Sequence, residues 1–201
     1  MIQHTDLWII ERAYFATGIS LICGVDEAGA GPLAGAVYAA AVILPQELIL
    51  EGLNDSKKVS EKRRELLYDQ IVQQAIAFSV ASVDEKEIDT INILNARMLA
   101  MNRAIETLHP KPELALIDGN QNRGICERNV TVVKGDGKSA SIAAASILAK
   151  VSRDRYMCEM AERYPEYAFE QHKGYPTKLH YERLRQFGPS PIHRKTFLKN
   201  L

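Results

Sequence analysis

The segment Lys138–Arg163 constrains the fold more than any other part of the chain. It reads as one long helix, and its first half, SIAAASILAKV (Ser141–Val151), is crowded with alanine and serine. Side chains that small let a helix axis come close to its neighbour, which predicts a helix laid tightly on a sheet. The strands for that sheet come from apolar runs bounded by turn residues. Ile19–Asp26 (ISLICGVD) reads as a buried strand, Gly35–Leu44 as a second stopped by Pro45, and Ile76–Val83 as a third that alternates. Leu114–Asp118 and Val130–Val133 supply two short ones.

Ser60–Gln74 has the charge-rich periodicity of a surface helix. Ile91–Leu108 is a stronger helix, with Ile91, Leu94, Met98, Met101 and Ile105 on one side and His109-Pro110 ending it. A last helix is expected from Lys178 to Phe187, with Thr177 as its N-cap and Gly188 just past its end. Early adjacent strands followed by strands separated by helices predict an α/β fold, a mixed sheet flanked by helices.

With 201 residues the chain is long enough for one domain with a substantial core. Its 25 basic and 25 acidic side chains cancel, but they are not evenly spread. From Gln171 onward seven basic residues (Lys173, Lys178, Arg183, Arg185, Arg194, Lys195 and Lys199) face Glu182 alone, while the preceding 170 residues carry 18 basic and 24 acidic. A basic tail beside an acidic body suits a protein that grips a polyanion and keeps carboxylates for another purpose. The longest apolar run, Ala34–Leu44, is far short of the ~20 residues of a membrane span. No secretory signal is visible at the start, and Cys23, Cys126 and Cys158 are too scattered for a disulfide framework or a zinc site. A cytoplasmic, monomeric protein with no membrane role is expected.

Three motifs compete for the chemistry. GVDEAGAGPLAG (Gly24–Gly35) formally contains a dinucleotide fingerprint, but it runs through Pro32 into a strand, so no helix N-terminus faces a pyrophosphate. Asp26 and Glu27 would also put negative charge where the phosphates belong. KGDGKSAS (Lys134–Ser141) matches only half of a P-loop, with Val132 where the first glycine should stand. The third reading makes use of the acids. Asp26 and Glu27 end one strand, Asp118 ends another, and Asp136 stands at the entrance of the long helix. Carboxylates at neighbouring strand ends repel one another unless hard divalent ions such as Mg²⁺ or Mn²⁺ lie between them, and two such ions clamp a phosphodiester for hydrolysis. Taken singly, each acid also fits a turn or a solvated strand end.

GVDEAGAGPLAG, LNDSKKVSEKRR (Leu53–Arg64), LALIDGN (Leu114–Asn120), VVKGDGKSASIAAASILAKVSRD (Val132–Asp154) and QHKGYPT (Gln171–Thr177) together resemble bacterial ribonuclease HII, in order and at compatible spacing. The resemblance implies a ribonuclease H-like core over residues 1–168, with a basic helical C-terminal segment, 169–201, packed on it as one compact unit. It implies cleavage of the RNA strand of RNA–DNA hybrids, and of duplex DNA beside single ribonucleotides, leaving 3′-hydroxyl and 5′-phosphate ends with two Mg²⁺ or Mn²⁺ ions. Asp26, Glu27, Asp118 and Asp136 match its metal-binding catalytic quartet. Gly29-Ala30-Gly31 matches the loop whose backbone reads the ribose 2′-hydroxyl, Tyr175 a tyrosine packed on the neighbouring sugar, and Lys57 and Lys58 a phosphate-contacting loop.

One position departs from the pattern: the family usually has arginine where this chain has Ala30. A binding protein with weakened catalysis is therefore the alternative expectation. The other polar residues have quieter readings. Lys150 and Asp154 are spaced for a surface ion pair, and His172, His180 and His193 face phosphate or serve structure. Basic side chains in the tail, Arg194, Lys195 and Lys199 included, are expected to contribute to a salt-dependent grip on the backbone.

Overall fold

The computed structural model describes residues 6–199. Five strands, β1 (Ile22–Ala28), β2 (Val37–Ile43), β3 (Ala77–Val83), β4 (Leu114–Asp118) and β5 (Asn129–Val132), form one sheet in the order β3-β2-β1-β4-β5. The first three are antiparallel neighbours, whereas β4 runs parallel to β1 and β5 parallel to β4, so the sheet is mixed as expected. The helices are α1 (Ile9–Phe15), α2 (Glu61–Gln74), α3 (Glu85–Ile91), α4 (Ile93–Glu106), α5 (Ala140–Arg163), α6 (Phe169–His172) and α7 (Lys178–Phe187).

Both faces of the sheet are covered, and β2 shows why its sequence is apolar throughout. Ala39, Ala41 and Ile43 point into a core shared with Met101, Ala104 and Ile105 of α4. Ala40 and Val42 point into the opposite core, against Leu67 and Ile71 of α2 and Ala144 and Leu148 of α5. The small residues of α5 do what their size suggests. At Gly24 of β1 an added Cβ would stand 2.0 Å from the backbone carbon of Ser141, so helix and strand touch main chain to main chain. A third core joins Leu33 and Ala34 to Met157 of α5 and to Phe169, Leu184 and Ile192, which seats the C-terminal segment on α5 and on the loop between β1 and β2.

Several boundaries differ from the sequence reading: β1 begins at Ile22 instead of Ile19 and runs on through Glu27 to Ala28, and two helices depart further. The helix expected over Ile91–Leu108 is broken at Asn92, whose φ of 64° belongs to the left-handed region that asparagine tolerates. Its Oδ1 then accepts the N–H groups of Leu94 and Asn95 at 3.0 and 3.2 Å and starts α4 afresh. Leu94, expected on the apolar side, is 61% exposed as a result. Helix α5 starts at Ala140 instead of Lys138, because Gly135–Gly137 wind into a short 3₁₀ turn and Ser139 caps through the N–H of Ile142. Thr177 caps α7 as expected, accepting from the N–H of His180.

Helix α1 lies in a stretch with no clear periodicity. Its Glu11 is buried and accepts the Ser139 and Ser141 hydroxyls at 2.6 and 2.7 Å and the Ser141 N–H at 3.1 Å. A carboxylate thus sits on the positive end of α5. Among the described residues no helix is long and apolar enough to cross a membrane.

Candidate active site

Parallel pairing of β1 with β4 brings the first acids together. The register matches Val25 with Ile117, so Asp26 and Asp118 are the next residues along adjacent strands. Beyond β5 the chain turns through Lys134, at a left-handed φ of 56°, into the 3₁₀ turn that carries Asp136. That turn is tied to β4 by the Gly135 N–H, which donates to Asp118 Oδ1 at 2.6 Å. Asp118 and Asp136 line one cleft of about 720 Å³ with Asp55, Lys57, Lys58, Lys134 and Lys138.

The electrostatics are those of acids held together against their repulsion. Asp26 is buried, and desolvation, followed by the charges of Glu27 and Asp118, raises its pKa well above the usual carboxylate range. Burial also raises Glu27, although the Arg97 guanidinium partly offsets it. Desolvation raises Asp136 too, helped by the charges of Asp118 and Asp55. Among the described residues no three His, Cys, Asp or Glu side chains are already placed to close on one ion. The donor set nonetheless suits a hard cation: it is all carboxylate, it is desolvated, and Glu27 Oε2 is buried with no hydrogen-bond partner. Glu27 Oε1 is engaged by Arg97 Nη2 at 2.5 Å.

The glycine loop lies beside this group, and two buried arginines shape it. Arg194, fully buried, spreads its guanidinium over three carbonyls. Nε and Nη2 reach Gly35 O at 2.9 and 2.7 Å, Nη1 reaches Ala30 O at 3.1 Å, and Nη2 reaches Gly29 O at 2.7 Å. In a trans peptide the C=O and the following N–H point in opposite directions. Holding the carbonyls of Gly29 and Ala30 inward therefore turns the N–H groups of Ala30 and Gly31 away from Arg194. Arg153 donates to the carbonyls of Ala36 and Ala34 at 3.2 Å each. It also explains Gly29: with φ at +96°, a Cβ there would stand 2.1 Å from Arg153 Nε.

Tyr175 borders the same loop. The residue is 39% exposed, and its ring lies 3.8 Å from where a Cβ on Gly31 would be and has the Arg153 guanidinium 5.7 Å from its centroid. Three buried histidines hold its backbone, so their role here is structural. His180 Nδ1 faces Tyr175 O at 2.9 Å and must carry the proton. His180 Nε2 is then bare and accepts from His193 Nε2 at 3.0 Å, leaving His193 Nδ1 to accept the N–H and hydroxyl of Ser190. His172 donates from Nε2 to Tyr167 O and accepts the Gly174 N–H at Nδ1.

Every ring nitrogen is committed, so a further proton has no acceptor, and burial pushes His180 and His193 down to about 4. In ¹H–¹⁵N spectra at pH 5.5 these rings are expected to be neutral, with the proton on Nδ1 of His180 and on Nε2 of His193. Imidazolium shifts at that pH would refute the network. The unfolded chain binds the extra protons near pH 6.5, so this contribution to stability is complete above 6.5 and is lost as the pH falls toward 4.

Lys57 and Lys58 are exposed on a loop anchored by Ser56, whose hydroxyl accepts from Ser146 of α5 at 2.8 Å. Lys150 does pair with Asp154 at 2.6 Å, but both are partly buried and Arg64 approaches the same acid at 3.9 Å, so this is no simple surface pair. The expectation for Arg194 is wrong. It cannot touch a nucleic-acid backbone while buried against the glycine loop, and truncation after Gly188 would remove a structural element. Arg97, Arg153 and Asp55 escaped the sequence reading, and Arg194 was given the wrong role. Asp55 stood in view within LNDSKK, whereas the arginines looked like ordinary surface charge.

The family model described as Ribonuclease HII matches residues 23–200. The chain is 55% identical over 201 residues to Ribonuclease HII of Caldicellulosiruptor bescii, covering 99% of this chain and 97% of the relative. It is 56% identical over 177 residues to Ribonuclease HII of a Janthinobacterium species, covering 88% and 84%. The solved ribonuclease H2 of Pyrococcus horikoshii OT3 superposes with a TM-score of 0.73 at 27% identity, covering 88% of this chain and 93% of that one. Bst-RNase HIII in complex with Mn²⁺ shares the fold at a TM-score of 0.66 and 20% identity, covering 94% and 68%.

Proposed function

The chain belongs to the ribonuclease HII family and is a ribonuclease H hydrolase; on that premise we propose that it cuts the RNA strand of RNA–DNA hybrids and duplex DNA beside single ribonucleotides, with Asp26, Glu27, Asp118 and Asp136 as its metal-binding quartet. The observation that carries the reading is the meeting of Asp26 and Asp118 on adjacent parallel strand ends, with Asp136 tied in through Gly135. Mg²⁺ or Mn²⁺ held by these acids, two ions per site, would supply an activated water and neutralise charge on the leaving 3′-oxygen.

The remaining roles belong to the chain's own groups. The N–H groups of Ala30 and Gly31, turned outward by Arg194, meet the ribose 2′-hydroxyl, the group that distinguishes RNA from DNA. Tyr175 packs its exposed ring on the adjacent sugar. Lys57, Lys58, Lys134 and Lys138 line the cleft and bind flanking phosphates as point charges.

Three substrates test the reading, each with saturating Mg²⁺ or Mn²⁺: a DNA duplex with one ribonucleotide, an RNA–DNA hybrid, and a four-way DNA junction. Cleavage beside the ribonucleotide and within the hybrid, leaving 3′-hydroxyl ends, is expected. Binding without cleavage, or cutting of the junction alone, would overturn it.

Ala30 provides a second test. The family pattern has an arginine here, and a hydrogen bond to a charged group contributes ~1.5–3 kcal/mol. Ala30→Arg is therefore expected to raise kcat/KM on the single-ribonucleotide duplex about ten-fold or more, with the metal requirement unchanged. No gain would show that the loop already compensates.

A further inference from the structure

We propose that Arg97 is the resident counter-ion of the acidic site: it holds Glu27 when no divalent cation does, and thereby sets how tightly the site takes its metal. This rests on the reading of Glu27 as a metal ligand.

The contact is short and protected. Arg97 Nη2 and Glu27 Oε1 are 2.5 Å apart, and the two side chains are 22% and 12% exposed. It is also half made. A guanidinium and a carboxylate can join through two parallel hydrogen bonds, yet Arg97 Nε and Glu27 Oε2 are both buried without a partner. One oxygen of Glu27 is thus committed to Arg97 and the other is free for a second cation.

The position of Arg97 is fixed by packing. It stands between Ala96 and Met98, which are buried in the core that α4 shares with β1–β3, and Asn92 sets where that helix begins. The guanidinium thus reaches Glu27 from α4, whereas Asp118 and Asp136 line the lysine-rimmed cleft. Without divalent ions, one fixed positive charge offsets part of the repulsion among the acids. When a cation reaches Glu27, the same charge repels it, because two positive charges then share one carboxylate.

Calorimetric Mn²⁺ binding to the full chain tests this without reference to turnover. Arg97→Gln keeps polar reach and removes the charge, and is expected to tighten Mn²⁺ binding about ten-fold or more. Its thermal midpoint should fall without metal and return toward that of the parent at saturating Mn²⁺. Arg97→Met should give the same tightening, so the result does not depend on one variant folding well. Arg97→Lys retains the charge and should bind Mn²⁺ much as the parent does.

Glu27→Gln separates the inference from the reading beneath it. If Glu27 is a ligand, Glu27→Gln weakens Mn²⁺ binding, and adding Arg97→Gln to it then produces little further change. Weakening by Glu27→Gln together with unchanged or weaker binding in folded Arg97→Gln and Arg97→Met would overturn the role of Arg97 alone. No effect of Glu27→Gln would overturn the ligand assignment and the inference together.

Discussion

Asp118→Asn is expected to lower turnover on a single-ribonucleotide duplex by on the order of 10²-fold or more, beyond the 10–100-fold typical of groups that only support a metal ligand. The substitution is informative because Asp118 has two tasks. Its negative charge belongs to the acidic group, while its Oδ1 accepts the N–H of Gly135 and so holds the turn that carries Asp136. Asparagine retains an amide oxygen for the second task and gives up the charge needed for the first. The variant should therefore melt close to the parent and still bind a hybrid. Asp118→Ala removes both functions and leaves the buried Gly135 N–H unpaired, at a further cost of about 1–3 kcal/mol. Thermal melts and single-turnover kinetics of the two variants separate the tasks. Parental turnover in Asp118→Asn at saturating Mg²⁺ or Mn²⁺ would remove Asp118 from the proposed quartet.

Arg194→Met should have the largest effect on stability. Among the described residues Arg194 is the one side chain that bonds the carbonyls of Gly29, Ala30 and Gly35. Buried acceptors left without donors, and the loss of a guanidinium seated among them, place the change in the range of about 3–5 kcal/mol. For a chain of this size that corresponds to a fall in Tm of roughly 10 °C. Arg194→Lys should recover little, since an ammonium cannot span three carbonyls. Burial, with the nearby Arg153 charge next, lowers the Arg194 pKa to about 9, so it remains charged at neutral pH. A second readout follows from the geometry of the loop. Once the carbonyls are released, the N–H groups of Ala30 and Gly31 lose their orientation, and cleavage beside a ribonucleotide should fall more than hybrid binding. A variant that melts within a degree or two of the parent would refute this role.

The contrast between these two residues shows what a sequence can display. Asp118 was legible because it ends an apolar run, LALID, which marks a strand end, and because three other acids stand in comparable contexts. The sheet was legible for the same reason, since burial on both faces writes β1, β2 and β4 as nearly continuous apolar runs. Arg194 was opaque. Its neighbours are polar and its partners are main-chain carbonyls some 160 positions earlier in the chain, which leave no mark in local composition. Arg97 was hidden differently, because a charged residue on an amphipathic helix is normally solvated. Asn92 shows the limit for boundaries: the apolar spacing runs past it undisturbed, and only the left-handed backbone reveals the break.

The family model begins at Cys23, but the packed structure does not. Glu11 belongs to a helix upstream of that limit, and its carboxylate is locked to Ser139 and Ser141, at the start of the helix that follows the turn carrying Asp136. Fraying of α1 would expose those hydroxyls and loosen the start of α5, the helix on which the acidic turn is mounted. Local unfolding of α1 is therefore expected to loosen the turn that carries Asp136, so the amide hydrogens of the two segments should exchange at a common rate.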